Sequence, residues 1–305
     1  MMTPPFRPDE LKAELERALG FALRPLERLI CVNSVNYRAT RADDGFAFTV
    51  KCLPDDRKGG YDLIVRHVRD LAGTKAVRRL FERECPPVFR GWHVLCLNWC
   101  AGTRVFPDAL TPAQFRAFLD DYVALSNALQ RVTQVLPAYP GRKWRDEALA
   151  GCTGPCGGWL RRLIAEVPEA LADFRPERLR VTHGDLHPGN VVVDKGVVTG
   201  FLDVEGPVWG YPAWDVVRYF NFTLTKMNPL SFVRRRRAWA RFAEAVRYLP
   251  YPREDWLVSV NVTWFEQLWK KNGRRRIGPL DVLRLAVRAR QYRRMRKIVE
   301  NEGRD

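Results

Sequence analysis

The sequence predicts an α+β protein of two unequal lobes: a small antiparallel β-sheet crossed by one helix, then a larger, mainly helical lobe that carries a β-hairpin. Three observations predict it. Strand-like runs crowd the chain before Trp99. Apolar residues at helical spacing dominate after Gly102. One apolar run inside that helical part, "NVVVDKGVVTGFLD", folds back on itself at Lys195 and Gly196. At 305 residues, 46% of them hydrophobic and 11% aromatic, the chain can fill a sizeable core.

Taken in order, Pro8 to Leu19 reads as a helix. "LERLICVNSVNYRATRADDGFAFTVKCLP" then reads as three strands, with Asp43 to Gly45 as the hairpin turn between the second and third. After the loop "PDDRKGG" comes a helix, "YDLIVRHVRDLA", and further strand-like segments follow around Ala76 to Arg83 and at "HVLCLNW". The lobe boundary is expected near Trp99, giving residues 1–98 and 99–305. Beyond it a helix opens at "TPAQ" and lines up Phe115, Phe118, Leu119, Tyr122, Leu125 and Leu129. Past the hairpin, one stripe holds Trp239, Phe242, Ala243 and Val246, and another Val282, Leu285, Ala286, Ala289 and Tyr292.

Charge and cysteine usage bound the function. The net charge is +16, and the stretch from Lys226 to Asp305 holds 21 Lys and Arg against 8 Asp and Glu. That excess predicts an electropositive surface facing nucleotide phosphates, an acidic substrate, anionic lipid or nucleic acid. Nucleic acid ranks last, because no recognised binding motif accompanies the charge. Seven cysteines, mostly inside apolar runs, fit a reduced compartment, and the pair Cys152 and Cys156 lacks the second pair that a zinc site needs. No run of about 18 apolar residues is present, so a cytoplasmic, non-spanning protein is expected.

The chemistry concentrates in "VTHGDLHPGNVVVDKGVVTGFLDVE", starting at Val181. Phosphoryl transfer from a nucleotide needs metal ions on the outer phosphates, an acid to orient the acceptor hydroxyl, and a lysine on the phosphate chain. "HGDLHPGN" spaces Asp185 and Asn190 so that the acid can face the acceptor while the amide reaches a magnesium ion. Across the hairpin, Asp203 returns to the same end as a second magnesium ligand. His183 reads as a loop-fixing residue, His187 as structural, and Glu205 as an accessory to the metal or the acceptor.

These residues resemble the aminoglycoside phosphotransferase family, the small-molecule branch of the protein-kinase-like fold, which also holds choline, homoserine and sugar kinases. The resemblance extends to "GYPAWDV", where Asp215 takes the place of an aspartate that braces the catalytic loop. It implies that Asp185 is the catalytic base or acceptor-orienting carboxylate, that Asn190 and Asp203 hold Mg2+, and that Lys51 in "FTVKCLP" holds the α and β phosphates of ATP or GTP. The nucleotide base would lie at a hinge from Leu97 to Cys100, with Leu97 and Trp99 beside it. Gly184 stands where protein kinases usually carry Arg, which argues against switching by activation-loop phosphorylation. Only a short segment containing "GPVWGYPAW" lies between Asp203 and Asp215, so the expected acceptor is a small molecule or glycan rather than a protein.

Two features depart from the family pattern. The turn before the second strand, "VNSVNYRA", has no glycine, so Ser34 and Asn36 are the candidate phosphate donors there. No glutamate lies between Lys51 and Glu82, so the helix offers only Asp62 and Asp70 as partners of that lysine, and Asp62 is the candidate by position. The rival functions are a pseudokinase that binds without turnover, and a kinase of a membrane-held glycolipid or lipid-linked sugar. The second rests on the Arg, Lys and Trp of the last helices meeting an anionic membrane surface, although the spacing of Trp239, Trp256, Trp264 and Trp269 favours the core.

Overall fold

A computed structural model describes residues 4–29, 35–54, 58–71, 73–74, 88–133, 135–137, 141–151, 157–204, 206–228, 230–272 and 279–303. Helix α1 (Pro8–Leu19) begins with a proline in its first turn and ends at Gly20, whose φ of 72° is the left-handed conformation that stops a helix. Strands β1 (Glu27–Leu29), β2 (Val35–Thr40) and β3 (Ala47–Pro54) follow. Helix α2 (Lys58–Asp70) comes next, and then β4 (Val88–Phe89) and β5 (Trp92–Asn98). The five strands form one antiparallel sheet in the order β1-β2-β3-β5-β4.

Alternation along β3 divides its side chains between two faces. Phe48, Val50 and Cys52 pack with Tyr37, Val94 and the Leu11, Leu15 and Leu19 stripe of α1. Burial pushes the Cys52 thiol up to about 12, so it serves as a small apolar group. Leu53, Leu95 and Leu97 face the other way, against Ile64 and Val68 of α2. Lys51 lies two residues from Leu53 and directly across from both Asn36 and Leu95, so it shares the α2 face. The helix starts at Lys58, earlier than the apolar stripe alone suggests. Docking of that stripe on the sheet outweighs the poor helix propensity of Gly59 and Gly60. The strand expected around Ala76 to Arg83, together with Ser34, Glu205, Cys152 and Cys156, lies outside the described residues.

After β5 the chain enters the helical part through β6 (Thr103–Arg104), then α3 (Pro112–Leu129), α4 (Gly141–Gly151) and α5 (Gly157–Ala165). Thr111 caps α3 by accepting from the Gln114 N–H, and Gln114 accepts from the Thr111 N–H at 3.0 Å. Strands β7 (Arg180–Thr182), β8 (Val191–Asp194), β9 (Val197–Phe201) and β10 (Val208–Gly210) lead to α6 (Pro212–Lys226), α7 (Phe232–Tyr248), α8 (Arg253–Asn272) and α9 (Pro279–Glu302). The hairpin β8–β9 turns at Lys195 and Gly196, both with positive φ, as a two-residue turn requires. Phe115, Phe118, Phe220, Trp214 and Phe242 fill the core of this part, joined by Trp239, Trp256 and Trp264, which are buried as their spacing predicts.

The two parts are tied by β6, which pairs with β8 through Thr103–Val193 and Arg104–Val192. Cys100, just before it, packs with Val192 and Leu202 of the hairpin. The connection passes so close that a Cβ on Gly102 would stand 2.3 Å from the Val193 carbonyl oxygen, and its φ of 117° is open to glycine. Gly102→Ala is therefore expected to destabilise the protein by more than about 1 kcal/mol, read as a lower urea midpoint at unchanged slope.

Candidate active site

The loop from His183 to Asn190 is built on backbone groups that have specific partners. The buried Asp215 carboxylate, in the first turn of α6, accepts from the His183 N–H at 2.8 Å and the Gly184 N–H at 2.9 Å. The Tyr122 hydroxyl, which donates to the Pro212 carbonyl at 2.6 Å, lies 3.3 Å from the same carboxylate. Burial raises the pKa of Asp215, opposed by His183 and by the two backbone donors. Gly184 has a φ of 78°, and a Cβ there would meet Val208 Cγ2 at 2.7 Å, so an arginine has neither the conformation nor the room.

His183 spans the loop and the hairpin. Its Nε2 donates to the Leu202 carbonyl at 2.8 Å while its Nδ1 accepts from the Asp185 N–H at 3.3 Å, which fixes one ring tautomer. Asn190 donates from Nδ2 to the Asp185 carbonyl at 3.0 Å, which turns its amide oxygen the opposite way. Val191 pairs with Phe201, and the Leu202 N–H donates to the Asn190 carbonyl at 2.8 Å, so hairpin register sets Asn190 beside Asp203. Asp203 adopts a left-handed φ of 54° just past the end of β9.

Lys51 reaches this group from the sheet. Its Nζ lies 3.7 Å from Asp203 Oδ1, with the lysine side chain 9% exposed and the aspartate 59% exposed. Leu97 sits on the same sheet face as Lys51, and Trp99 is half-buried beneath the Arg38 guanidinium at 5.0 Å. Asn36 is directly opposite Lys51 in β2. Asp62 does not join them. It is exposed on α2, whose inward face is taken by Ile64, His67 and Val68, and among the described residues no ion pair links it to Lys51.

Arg218 is the residue sequence reasoning missed. It lies one turn beyond Asp215 on α6, donates to Asp185 Oδ1 at 2.9 Å, reaches Glu266 at 3.2 Å, and stacks over Trp214. An arginine inside the apolar run "WDVVRYF" was the available signal. Gln130 was missed as well: its amide pairs with both backbone groups of Val181, at 2.9 and 3.1 Å, and so holds the strand entering the loop. His187 caps the short turn after Asp185 by accepting from the Gly189 N–H on Nδ1 at 2.9 Å. Its ring stacks on Phe222.

The chain belongs to the phosphotransferase enzyme family, whose sequence model matches residues 64–251, more than half of its length. It is an enzyme of the phosphotransferase class with a kinase-like fold. Among solved structures, it resembles a spectinomycin phosphotransferase in complex with ADP and spectinomycin. That pair shares 13% identity and a TM-score of 0.62, with 97% of this chain and 98% of that one covered. A macrolide 2′-phosphotransferase from Brachybacterium faecium shares 16% identity and a TM-score of 0.57, with coverage of 98% and 100%. An aminoglycoside phosphotransferase in a ternary complex with ADP and hygromycin B shares 16% and 0.52, with coverage of 95% and 97%. No curated protein sequence matches this one significantly.

Burial lowers the pKa of His187, the nearby Asp185 opposing it. A folded value below the unfolded one means that the contribution of this histidine is complete above about pH 6.5 and lost as pH falls through the lowered value. Wild type is thus expected to lose melting temperature faster than His187→Asn between about pH 6.5 and 5. Parallel curves for the two proteins would contradict this.

Proposed function

We propose that this chain transfers the γ-phosphoryl group of ATP or GTP to a hydroxyl of a small-molecule or glycan acceptor. The observation that carries the reading is the meeting of Lys51 and Asp203 at 3.7 Å, with Asp185 and Asn190 on the adjoining loop. The ADP in complexes of the similar structures supports a nucleotide in that position. On this reading residues 1–98 form the nucleotide-binding lobe and 99–305 the catalytic and acceptor lobe. Leu97 and Trp99 would lie at the base, and Asn36 beside the phosphates.

Asn190 and Asp203 would hold Mg2+. Both offer an oxygen: the Asn190 amide is turned by its own N–H donation, and the Asp203 carboxylate is largely exposed. Among the described residues no three His, Cys, Asp or Glu gather into a self-sufficient metal site, so the remaining coordination would come from phosphate oxygens and water. Bound there, the ion supplies neutralisation of charge on the phosphate chain. Lys51 holds and orients the phosphates. Asp185 orients the acceptor hydroxyl and takes its proton, while Arg218 and the Asn190 amide fix the position of Asp185. Asp185→Ala is expected to lower magnesium-dependent nucleotide consumption by about 10²-fold or more, with melting temperature retained. A wild-type protein that binds nucleotide without consuming it over a panel of hydroxyl metabolites would instead be a pseudokinase.

A second reading concerns location. Among the described residues no helix is long and apolar enough to cross a membrane. Yet Leu230, Phe232 and Val233 at the start of α7 are 77%, 74% and 66% exposed, next to the exposed Arg236 and Arg237. Apolar wedge and cations together suit a peripheral site on an anionic bilayer. Flotation with liposomes containing phosphatidylserine should carry the protein upward, and Phe232→Ser with Arg236→Gln should abolish it; no flotation of wild type removes this reading.

A further inference from the structure

The cavity beside Asp185 has a charge distribution that selects among acceptors. It encloses about 300 Å³ between the loop after Asp185 and helices α6, α8 and α9. Part of its wall is the stacked pair His187 and Phe222, with ring centroids 4.7 Å apart. Its charged lining consists of Asp185, Glu266, Arg218, Lys226 and Arg288. Arg218 bridges both acids, at 2.9 Å to Asp185 and 3.2 Å to Glu266. Among the described residues, that leaves Lys226 and Arg288 with no carboxylate at ion-pair distance. Lys226 lies over the Phe222 ring at 5.5 Å. Arg288 donates to a neutral partner, the Gln267 amide oxygen, at 2.5 Å.

The position of Arg288 makes this arrangement informative. It is half-buried, and burial together with the neighbouring Arg284 pushes its pKa down, so the guanidinium is held where its charge is poorly solvated. A desolvated cation lining a cavity is stabilised by an anion that enters it.

We propose that this cavity receives an anionic acceptor, one that places its hydroxyl at Asp185 and its phosphate or carboxylate group on Arg288 and Lys226. This rests on the kinase reading above and names the acceptor class within it. The acceptor oxygen forms a bond to the γ phosphorus, and the bond from that phosphorus to the β–γ bridging oxygen breaks. The nucleoside diphosphate leaves with the electron pair, and the hydroxyl proton passes to Asp185. A polycationic acceptor would bring its charges against Arg288 and Lys226 and is disfavoured.

The test is calorimetry on the full chain saturated with ADP and magnesium, so that the nucleotide site is occupied, with inorganic phosphate and acetate as probes. At least one of the two is expected to bind, phosphate alone pointing to a phosphorylated acceptor and acetate alone to a carboxylated one. Arg288→Gln is expected to weaken that binding by about tenfold or more, and Arg288→Lys to restore most of it. Lys226 is exposed, so Lys226→Gln keeps the fold and is expected to weaken binding several-fold. Binding of neither anion, or the same affinity in Arg288→Gln and Lys226→Gln as in wild type, would overturn the proposal. Calorimetry needs no turnover, so this failure is distinct from a failure to consume nucleotide, which would remove the kinase reading itself.

Discussion

The ammonium of Lys51 is held on the inner face of a hydrophobic sheet, where a charge without a partner would be expensive. Its approach to Asp203 offsets part of that penalty, and it couples the sheet to the hairpin. The coupling is geometric before it is electrostatic. β6 hydrogen-bonds to β8 shortly after the sheet ends, so the segment that leaves the Lys51 sheet is anchored on the hairpin that leads to Asp203. An exposed carboxylate opposite a buried amine is a weak ion pair in water.

Around that pair the loop is stiffened from beneath. Asp215 accepts the two N–H groups that precede Asp185, His183 crosses to the Leu202 carbonyl, and Asn190 closes the loop on the Asp185 carbonyl. Each of these bonds uses a backbone group, and those to His183, Gly184 and Leu202 are buried, where an unpaired N–H or C=O would be costly. The side chain of Asp185 is left to Arg218 and to the cavity. The scaffold thus fixes where the acid stands, and the cavity chemistry decides what it meets.

Much of this was legible in the sequence, because the informative residues are local. The spacing from Asp185 to Asn190, the tight turn at Lys195 and Gly196 and the return to Asp203 are short-range facts, and the resemblance pointed to Lys51 at the end of the third strand. What failed depended on helix rotation. Asp62 was a plausible partner by position along the chain, but the apolar stripe of α2 turns it to solvent. Arg218, Lys226 and Arg288 come together only after α6, α8 and α9 pack. Their clustering is a tertiary fact, and in the sequence they are three of many basic residues in a strongly basic region. Trp239, Trp256 and Trp264 of the same region did read correctly as core, since their periodicity is local too.

The most direct measurement of the central claim is a double-mutant cycle on Lys51 and Asp203, using Lys51→Met, Asp203→Asn and the double variant, read as affinity for magnesium-AMP-PNP. If both side chains act on one polyphosphate and its cation, the losses should be non-additive by about 1 kcal/mol or more. Additive losses, or unchanged affinity in either single variant, would mean that the two sides of the cleft do not share a ligand.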